Sequence, residues 1–210
     1  MSNLVITIGR EFGSGGRELG RRLADELGID YYDKEIITAI AKDTAMTEDY
    51  IRSIVENRPH HLFPITVGHS MALQNDYQML QTQEIYRAHT QIITDLAAKS
   101  SCVIIGRCAD YILRDSNPVR IFVHADLDSR IARCMARRTE EEAGLTEQDM
   151  RKRIQNVDRS RAAFYNDFTG QRWGDKKYYD LCVNTTNVSI KEIAPYLARM
   201  FRGGKIEAGE

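Results

Sequence analysis

The sequence predicts an α/β fold in which a parallel sheet is covered by helices on both faces. Three observations carry this. Short apolar, often β-branched runs recur along the chain, at Val5-Ile6-Thr7-Ile8, Ile29 to Tyr32, Cys102-Val103-Ile104-Ile105, Val119 to Val123 and Leu181-Cys182-Val183. Stretches with helical spacing of apolar residues separate most of these runs, and strands that alternate with helices imply βαβ units buried on both faces. The first run enters a glycine-dense segment, Gly9-Arg10-Glu11-Phe12-Gly13-Ser14-Gly15-Gly16-Arg17, that leads directly into a helix.

That segment reads as a turn that cradles a phosphate. Backbone N–H groups turned inward toward an anion need positive φ and no Cβ in the way, which clustered glycines supply. The helix that follows aims the positive end of its dipole at the same anion. The helix, Arg17 to Leu27, carries Leu19, Leu23, Ala24 and Leu27 on one face and stops at Gly28.

The second strand ends at Asp33, and Lys34 to Lys42 follows as a helix with Ile36, Ile37 and Ile40 inward. Thr47 to Asn57 is predicted helical. From Arg58 to Ser70, Pro59, Pro64 and Gly68 break the periodicity and predict an irregular loop beside the site. Helix resumes over Tyr77 to Lys99. The strand Cys102 to Ile105 closes at Gly106-Arg107, and the last strand leads into a helix over Ser189 to Phe201. The expected organisation is one domain over residues 1–202, with a helical insertion at about 34–100, a lid at about 130–177 and a flexible tail at 203–210.

At 210 residues and 42% hydrophobic, the chain is long enough for one well-buried core. A formal net charge of -1 supplies no bulk attraction to nucleic acid or membrane, so anions must be held by local charge clusters. Cys102, Cys108, Cys134 and Cys182 show no C-x-x-C spacing and read as reduced structural thiols. No run approaches the roughly 18 apolar residues of a membrane helix, and the N-terminal apolar stretch is too short for a signal peptide. The expected compartment is the cytoplasm.

The glycine segment admits two enzymatic readings. As a phosphate loop of the pattern G-x-x-x-x-G-K, Gly16-Arg17 takes the Gly-Lys place and Glu11 stands where the first glycine belongs. Arg17 keeps the positive charge and can grip phosphate oxygens with two N–H groups. The usual following hydroxyl is replaced by Glu18 and Leu19, so a directly bound Mg²⁺ needs another ligand. As a dinucleotide fingerprint, Gly9, Gly13 and Gly15 have the spacing of short-chain dehydrogenases, but Glu18 occupies the third glycine place of the strict pattern. None of the ten tyrosines has a lysine four residues later, as the proton-transfer pair of those enzymes requires.

A dense basic field lies between Arg130 and Lys177, with twelve lysines or arginines. Arg130, Arg133 and Arg137 recur at three and four residues and share one helix face, while Asp158 and Arg161 are i, i+3 neighbours on a second helix. Phosphoryl transfer needs such equipment, because positioned cations stabilise the charge spread over the phosphoryl oxygens. Topology places Asp33 and Arg107, each just after a strand, in the cleft beyond the carboxyl ends of the sheet. The histidines show no metal-binding spacing, and no metal ligands are expected.

Taken in order, these landmarks resemble the cytidylate kinase-like family of nucleoside monophosphate kinases. The resemblance rests on Ile6-Thr7-Ile8 with Gly13-Ser14-Gly15-Gly16-Arg17, on Asp33, and on Val103-Ile104-Ile105-Gly106-Arg107. It continues through Arg120-Ile121-Phe122-Val123 to Arg130 and Arg133, Asp158-Arg159-Ser160-Arg161, and Tyr179 to Thr185 with Ser189-Ile190. It implies a P-loop kinase-type sheet with a helical lid, and transfer of the ATP γ-phosphoryl group to a nucleoside monophosphate, CMP- or dCMP-like, with Mg²⁺. By position, Gly13, Ser14, Gly15, Gly16, Arg17 and Glu18 would hold the ATP phosphates. Asp33, Lys34 and Arg107 would hold the acceptor, and Arg17, Arg107, Arg130, Arg133, Asp158 and Arg161 would carry the transfer. Asp33-Lys34-Glu35 departs from the Asp-Thr-Gly of cytidylate kinases, which leaves the acceptor open. Partners are expected to be small molecules. The alternatives are a nucleotide-binding regulator that has lost catalysis and the dehydrogenase.

Overall fold

The structure, a computed structural model, describes residues 3–51 and 72–202. Five parallel strands form one sheet: β1 (Val5–Arg10), β2 (Asp30–Tyr32), β3 (Cys102–Ile105), β4 (Val119–His124) and β5 (Leu181–Asn184), in the order β2-β3-β1-β4-β5. The helices are α1 (Gly16–Leu27), α2 (Glu35–Thr44), α3 (Ala72–Lys99), the single turn α4 (Ala109–Ile112), α5 (Leu127–Ala136), α6 (Glu147–Thr169) and α7 (Ile190–Arg202). A further helical segment is described over residues 48–51.

Because successive strand residues point to opposite faces, each central strand feeds two cores. Cys102 and Ile104 join Ile36, Ile37, Ile40, Ile85, Ile93 and Phe164 on the side of α2, α3 and α6. Val103 and Ile105 join Ile6, Ile8, Leu19, Leu23, Leu197 and Phe201 on the side of α1 and α7. A third, smaller cluster of Ile131, Met150 and Ile154 holds α5 against α6, and Phe12 from the glycine segment packs into it.

The predicted strands all occur. Two boundaries shift in ways that matter. β1 continues through Gly9 and Arg10, which pair with Phe122 and Val123 of β4, so these residues belong to the sheet rather than to the turn. Glycine is favoured at position 9 because an added Cβ would stand 2.9 Å from the Phe122 ring. The long helix begins at Ala72 rather than Tyr77. The expected loop 58–70, the end of the helix predicted over Thr47 to Asn57, and the tail 203–210 lie outside the described residues. All four cysteines are free thiols: Cys102 and Cys108 are buried, whereas Cys182 is exposed, since β5 is an edge strand. Among the described residues no helix is long and apolar enough to cross a membrane.

His89 of α3 is fully buried among Phe164, Phe168 and Tyr86. Burial, with a smaller contribution from the Arg107 charge, lowers its pKa from 6.5 to about 3. The folded state therefore binds fewer protons than the unfolded chain between these values, and stability falls as pH drops through that window. The unfolding free energy from urea titration is expected to lose about 2 kcal/mol from this residue between pH 7 and pH 5, and His89→Leu should remove that component of the pH dependence. In α1, a Cβ at Gly20 would overlap Ile105 and stand 3.1 Å from Ile8 Cδ1. Gly20→Val is expected to lower stability by about 1–3 kcal/mol through overpacking, measured by the denaturation midpoint.

Candidate active site

The site lies beyond the carboxyl ends of β1, β3 and β4. The glycine segment leaves β1 and turns on Gly13 (φ +78°) and Gly15 (φ +85°), both in the left-handed region. Gly13 is doubly constrained, because a Cβ would also stand 2.8 Å from Cys134 Sγ and 3.0 Å from the Arg130 carbonyl. The first hydrogen bond of α1 runs from Leu19 N–H to the Gly15 carbonyl at 2.9 Å. The N–H groups of Gly16, Arg17 and Glu18 thus have no carbonyl within the helix and remain available to an anion.

Glu11, where a phosphate loop normally has glycine, is a strut. Its N–H donates to the Val123 carbonyl at 3.0 Å, and its Oε2 accepts from Ala125 N–H at 3.2 Å and lies 3.3 Å from Arg130 Nη1. The same Arg130 nitrogen is 2.5 Å from Asp158 Oδ2, and Asp158 Oδ1 accepts from Phe12 N–H at 2.7 Å. Arg161 donates to the Arg10 carbonyl at 3.1 Å, Arg133 to the Gly13 carbonyl at 2.7 Å and to the Thr185 carbonyl at 3.1 Å, and Thr185 Oγ1 to the Ser14 carbonyl at 2.6 Å. Residues from the basic field therefore meet the glycine segment directly. The guanidinium groups of Arg153 and Arg161 also lie over the Phe12 ring, 5.8 and 5.5 Å from its centroid.

Two cavities of about 290 Å³ each adjoin this framework. The first, beside the glycine segment, is lined by Gly13, Gly15, Gly16, Arg133 and Arg137. The second extends toward β3 and α6 and is lined by Arg107, Asp110, Phe164, Tyr165, Trp173 and Tyr179. Arg10, Phe12, Arg17, Arg153 and Arg161 line both. The second cavity is also lined by Gly106, Arg107 and Cys108, three consecutive residues with positive φ. Two of them are not glycine, so backbone strain is concentrated beside the cavity.

Electrostatics follow from this crowding. Burial first, then the charges of Arg161 and Arg107, hold the Arg10 guanidinium well below its usual pKa, with Asp33 opposing. Burial pushes the Asp110 carboxyl up despite the hydrogen bond donated by the Tyr165 hydroxyl at 2.7 Å. Glu18 is pushed up by burial but ends below the ordinary carboxylate range, because Arg137 and Arg22 hydrogen-bond to it.

The residues singled out from sequence divide into four groups. Gly13, Gly15, Gly16, Arg17, Arg107, Arg133 and Arg161 line one or both cavities. Asp33 is buried at the end of β2, where its Oδ2 is 2.5 Å from Arg17 Nε, and Oδ1 has no hydrogen-bond donor among the described residues. Ser14, Arg130 and Asp158 stand behind the surface: the Ser14 hydroxyl donates to the Glu11 carbonyl at 2.8 Å, and Arg130 and Asp158 bind each other. Lys34 and Glu18 line neither cavity. Lys34 is exposed at the start of α2, and Glu18 turns along the outer face of α1 to Arg22 and Arg137. Sequence reasoning passed over Arg10, Asp110, Tyr165, Trp173 and Tyr179. Only Arg10 carried a usable signal, as a charge at the end of a buried strand.

A parallel sheet of this order with a glycine turn between β1 and α1 has the architecture of P-loop kinases. The model of the cytidylate kinase-like family matches residues 5–187, and the chain belongs to that family. It is 24% identical over 200 residues to a cytidylate kinase of Methanopyrus kandleri, covering 90% of this chain and 89% of that protein. The structure is similar to that of an uncharacterized protein from Eubacterium ventriosum, with TM-score 0.69, 26% identity and coverage of 96% of this chain and all of the other. It shares its fold with a shikimate kinase from Acinetobacter baumannii in complex with shikimate, with TM-score 0.53, 11% identity, and 99% and 97% coverage. The protein is an ATP-dependent phosphotransferase acting on a nucleotide or another small molecule.

Asp158→Ala leaves the buried Arg130 without its closest counter-charge. It is expected to lower stability by about 3 kcal/mol, the scale of a broken buried pair. The double variant Arg130→Met, Asp158→Leu should recover most of that loss in the same urea titration.

Proposed function

We propose that the chain transfers the ATP γ-phosphoryl group to a nucleoside monophosphate, with ATP in the cavity beside the glycine segment and the acceptor in the cavity between β3 and α6. The observation that carries this reading is the meeting of the two cavities at Arg10, Arg17, Arg153 and Arg161. A phosphoryl group passing from one cavity to the other crosses a junction lined by cations, where its charge is neutralised. An acceptor phosphate oxygen attacks the γ-phosphorus as the bond to the β,γ-bridging oxygen breaks, and ADP leaves with that electron pair. An acceptor in its dianionic form needs no base.

The residues present fit ATP: positive-φ glycines, free N–H groups at the head of α1, and Arg133 and Arg137 flank one cavity. They supply no ready set of protein ligands for Mg²⁺. Glu11, Glu18, Asp33 and Asp158 are each engaged by an arginine, and no cluster of three ligating side chains occurs among the described residues. Mg²⁺ in this reading arrives on the nucleotide's phosphates and water, and nothing above is routed through it.

The acceptor cavity supports an amine-bearing base. Arg10, Arg17, Arg153 and Arg161 line it at the junction, and its remaining wall combines Arg107 and the flat rings of Phe164, Trp173 and Tyr179 with the buried Asp110 carboxyl held by Tyr165. A carboxyl there accepts a hydrogen bond from an exocyclic amine and penalises a carbonyl in its place. Arg130 and Asp158 hold the loop rather than touch the phosphates, Arg107 and Arg161 orient the acceptor, and Asp33, which lines neither cavity, acts through Arg17.

ADP formation measured across CMP, dCMP, UMP and AMP tests the assignment. CMP or dCMP should be preferred, Asp110→Asn should shrink the preference over UMP by tenfold or more, and ADP formation stimulated by none of the four would refute the assignment. Arg17→Ala should lower turnover at saturating substrates about 30-fold, near 2 kcal/mol in barrier terms.

A further inference from the structure

We infer that Arg10 is a catalytic residue that grips the transferring phosphoryl group, and that the junction it lines with Arg17 and Arg161 is an oxyanion site able to hold inorganic phosphate without nucleotide. The inference rests on the phosphotransfer reading for the catalytic part only; the oxyanion site stands on geometry alone.

Arg10 is the last residue of β1, a central strand of the sheet, and lines both cavities. Its backbone is fixed from two sides. The ladder to Val123 holds the strand, and Arg161 donates to its carbonyl. Its side chain follows a path cleared by two glycines. Gly16 passes 2.6 Å from Arg10 Cβ as judged from an added Cβ, and a Cβ at Gly106 would collide with the guanidinium Nη1. Side-chain atoms at either position would push the guanidinium out of the junction.

No side-chain or backbone oxygen among the described residues accepts a hydrogen bond from the Arg10 guanidinium, and no carboxylate lies within 4 Å of it, whereas Arg17, Arg130 and Arg137 each have an acidic partner. A guanidinium cannot shed its proton to escape the cost of burial among other cations, so a bound anion is what relieves it. Arg10 offers a planar donor fork with the geometry that grips two phosphoryl oxygens at once. Arg17 and Arg161 line the same junction. A phosphate or phosphoryl group is the anion of matching charge and size at the point where the two cavities meet.

The test uses the full chain. Titration calorimetry with inorganic phosphate, at constant ionic strength set by chloride, is run on the wild type, Arg10→Met and Arg10→Lys, alongside steady-state kinetics with ATP and the best acceptor. Wild type should bind phosphate, Arg10→Met should weaken that binding at least tenfold, and Arg10→Lys should restore part of it. Turnover should fall about 100-fold in Arg10→Met with both KM values changed less than threefold, since the contact strengthens as charge builds on the phosphoryl oxygens. If Arg10→Met does not fold, Arg10→Lys alone decides: the charge is kept but the fork is lost, and at least a tenfold fall in turnover is expected. Phosphate binding that is absent in wild type or unaltered by the substitutions overturns the site, and unaltered turnover in a folded variant overturns the catalytic role. If the chain instead phosphorylates another class of acceptor, phosphate binding still depends on Arg10, which separates this inference from the acceptor assignment.

Discussion

The ion pair between Arg130 and Asp158, with Glu11 as third member, is the contact on which the geometry of the site depends. Arg130 comes from α5, Asp158 from α6 and Glu11 from the segment after β1, so one buried guanidinium ties two neighbouring helices to a segment more than a hundred residues earlier in the chain. Glu11 extends the tie to the end of β4 through Ala125 N–H, and Asp158 extends it to Phe12 N–H. A network of buried charges is stabilising only when every member is satisfied. Here Arg130 Nη1 meets both carboxylates while its Nε has no hydrogen-bond partner among the described residues, so moving the segment would remove part of the compensation this buried charge has. Phe12 adds an apolar anchor in the small core between α5 and α6, so the loop is held by both polarity and packing.

With the loop tied down in this way, the cations divide into those already paired within the protein and those left for a ligand. Arg130, Arg137 and Arg120 are paired with carboxylates. Arg133 is bound to loop and β5 carbonyls, so it buttresses the cavity wall as well as lining it. Arg17 reaches Asp33 through Nε while it lines both cavities. Arg10 faces the junction. In the proposed reaction, a loop with arginine in place of lysine and no following hydroxyl is supplemented by guanidinium groups from the sheet and from α6.

The strained turn Gly106-Arg107-Cys108 has a comparable logic. Two non-glycine residues with positive φ persist only where surrounding structure over-determines them, and here α4, the buried Asp110–Tyr165 hydrogen bond and the wall of aromatic rings do so. The turn places Arg107 in the wall of the second cavity.

Much of this was legible in the chain itself. Apolar runs and their spacing determined the strands, the two-faced burial and most helix positions, because hydrophobic periodicity is a local property that tertiary context reinforces in a parallel sheet. The glycines at 13, 15 and 16 announced the turn, since positive φ and close approach leave little other choice of residue. The sequence also placed a basic field, but not which members face a ligand: Arg130 and Arg161 have the same local pattern, yet only Arg161 lines a cavity. Lys34 and Glu18 were placed by adjacency, and the direction of α2 and α1 turned them outward. Arg10, Asp110 and Trp173 come from different segments, and only the sheet order and the packing of α6 brought them together. Local chemistry decided what each segment is; which charged side chains line the cavities and which are tied behind them was decided by long-range packing and pairing, because a guanidinium's partners come from segments distant in sequence.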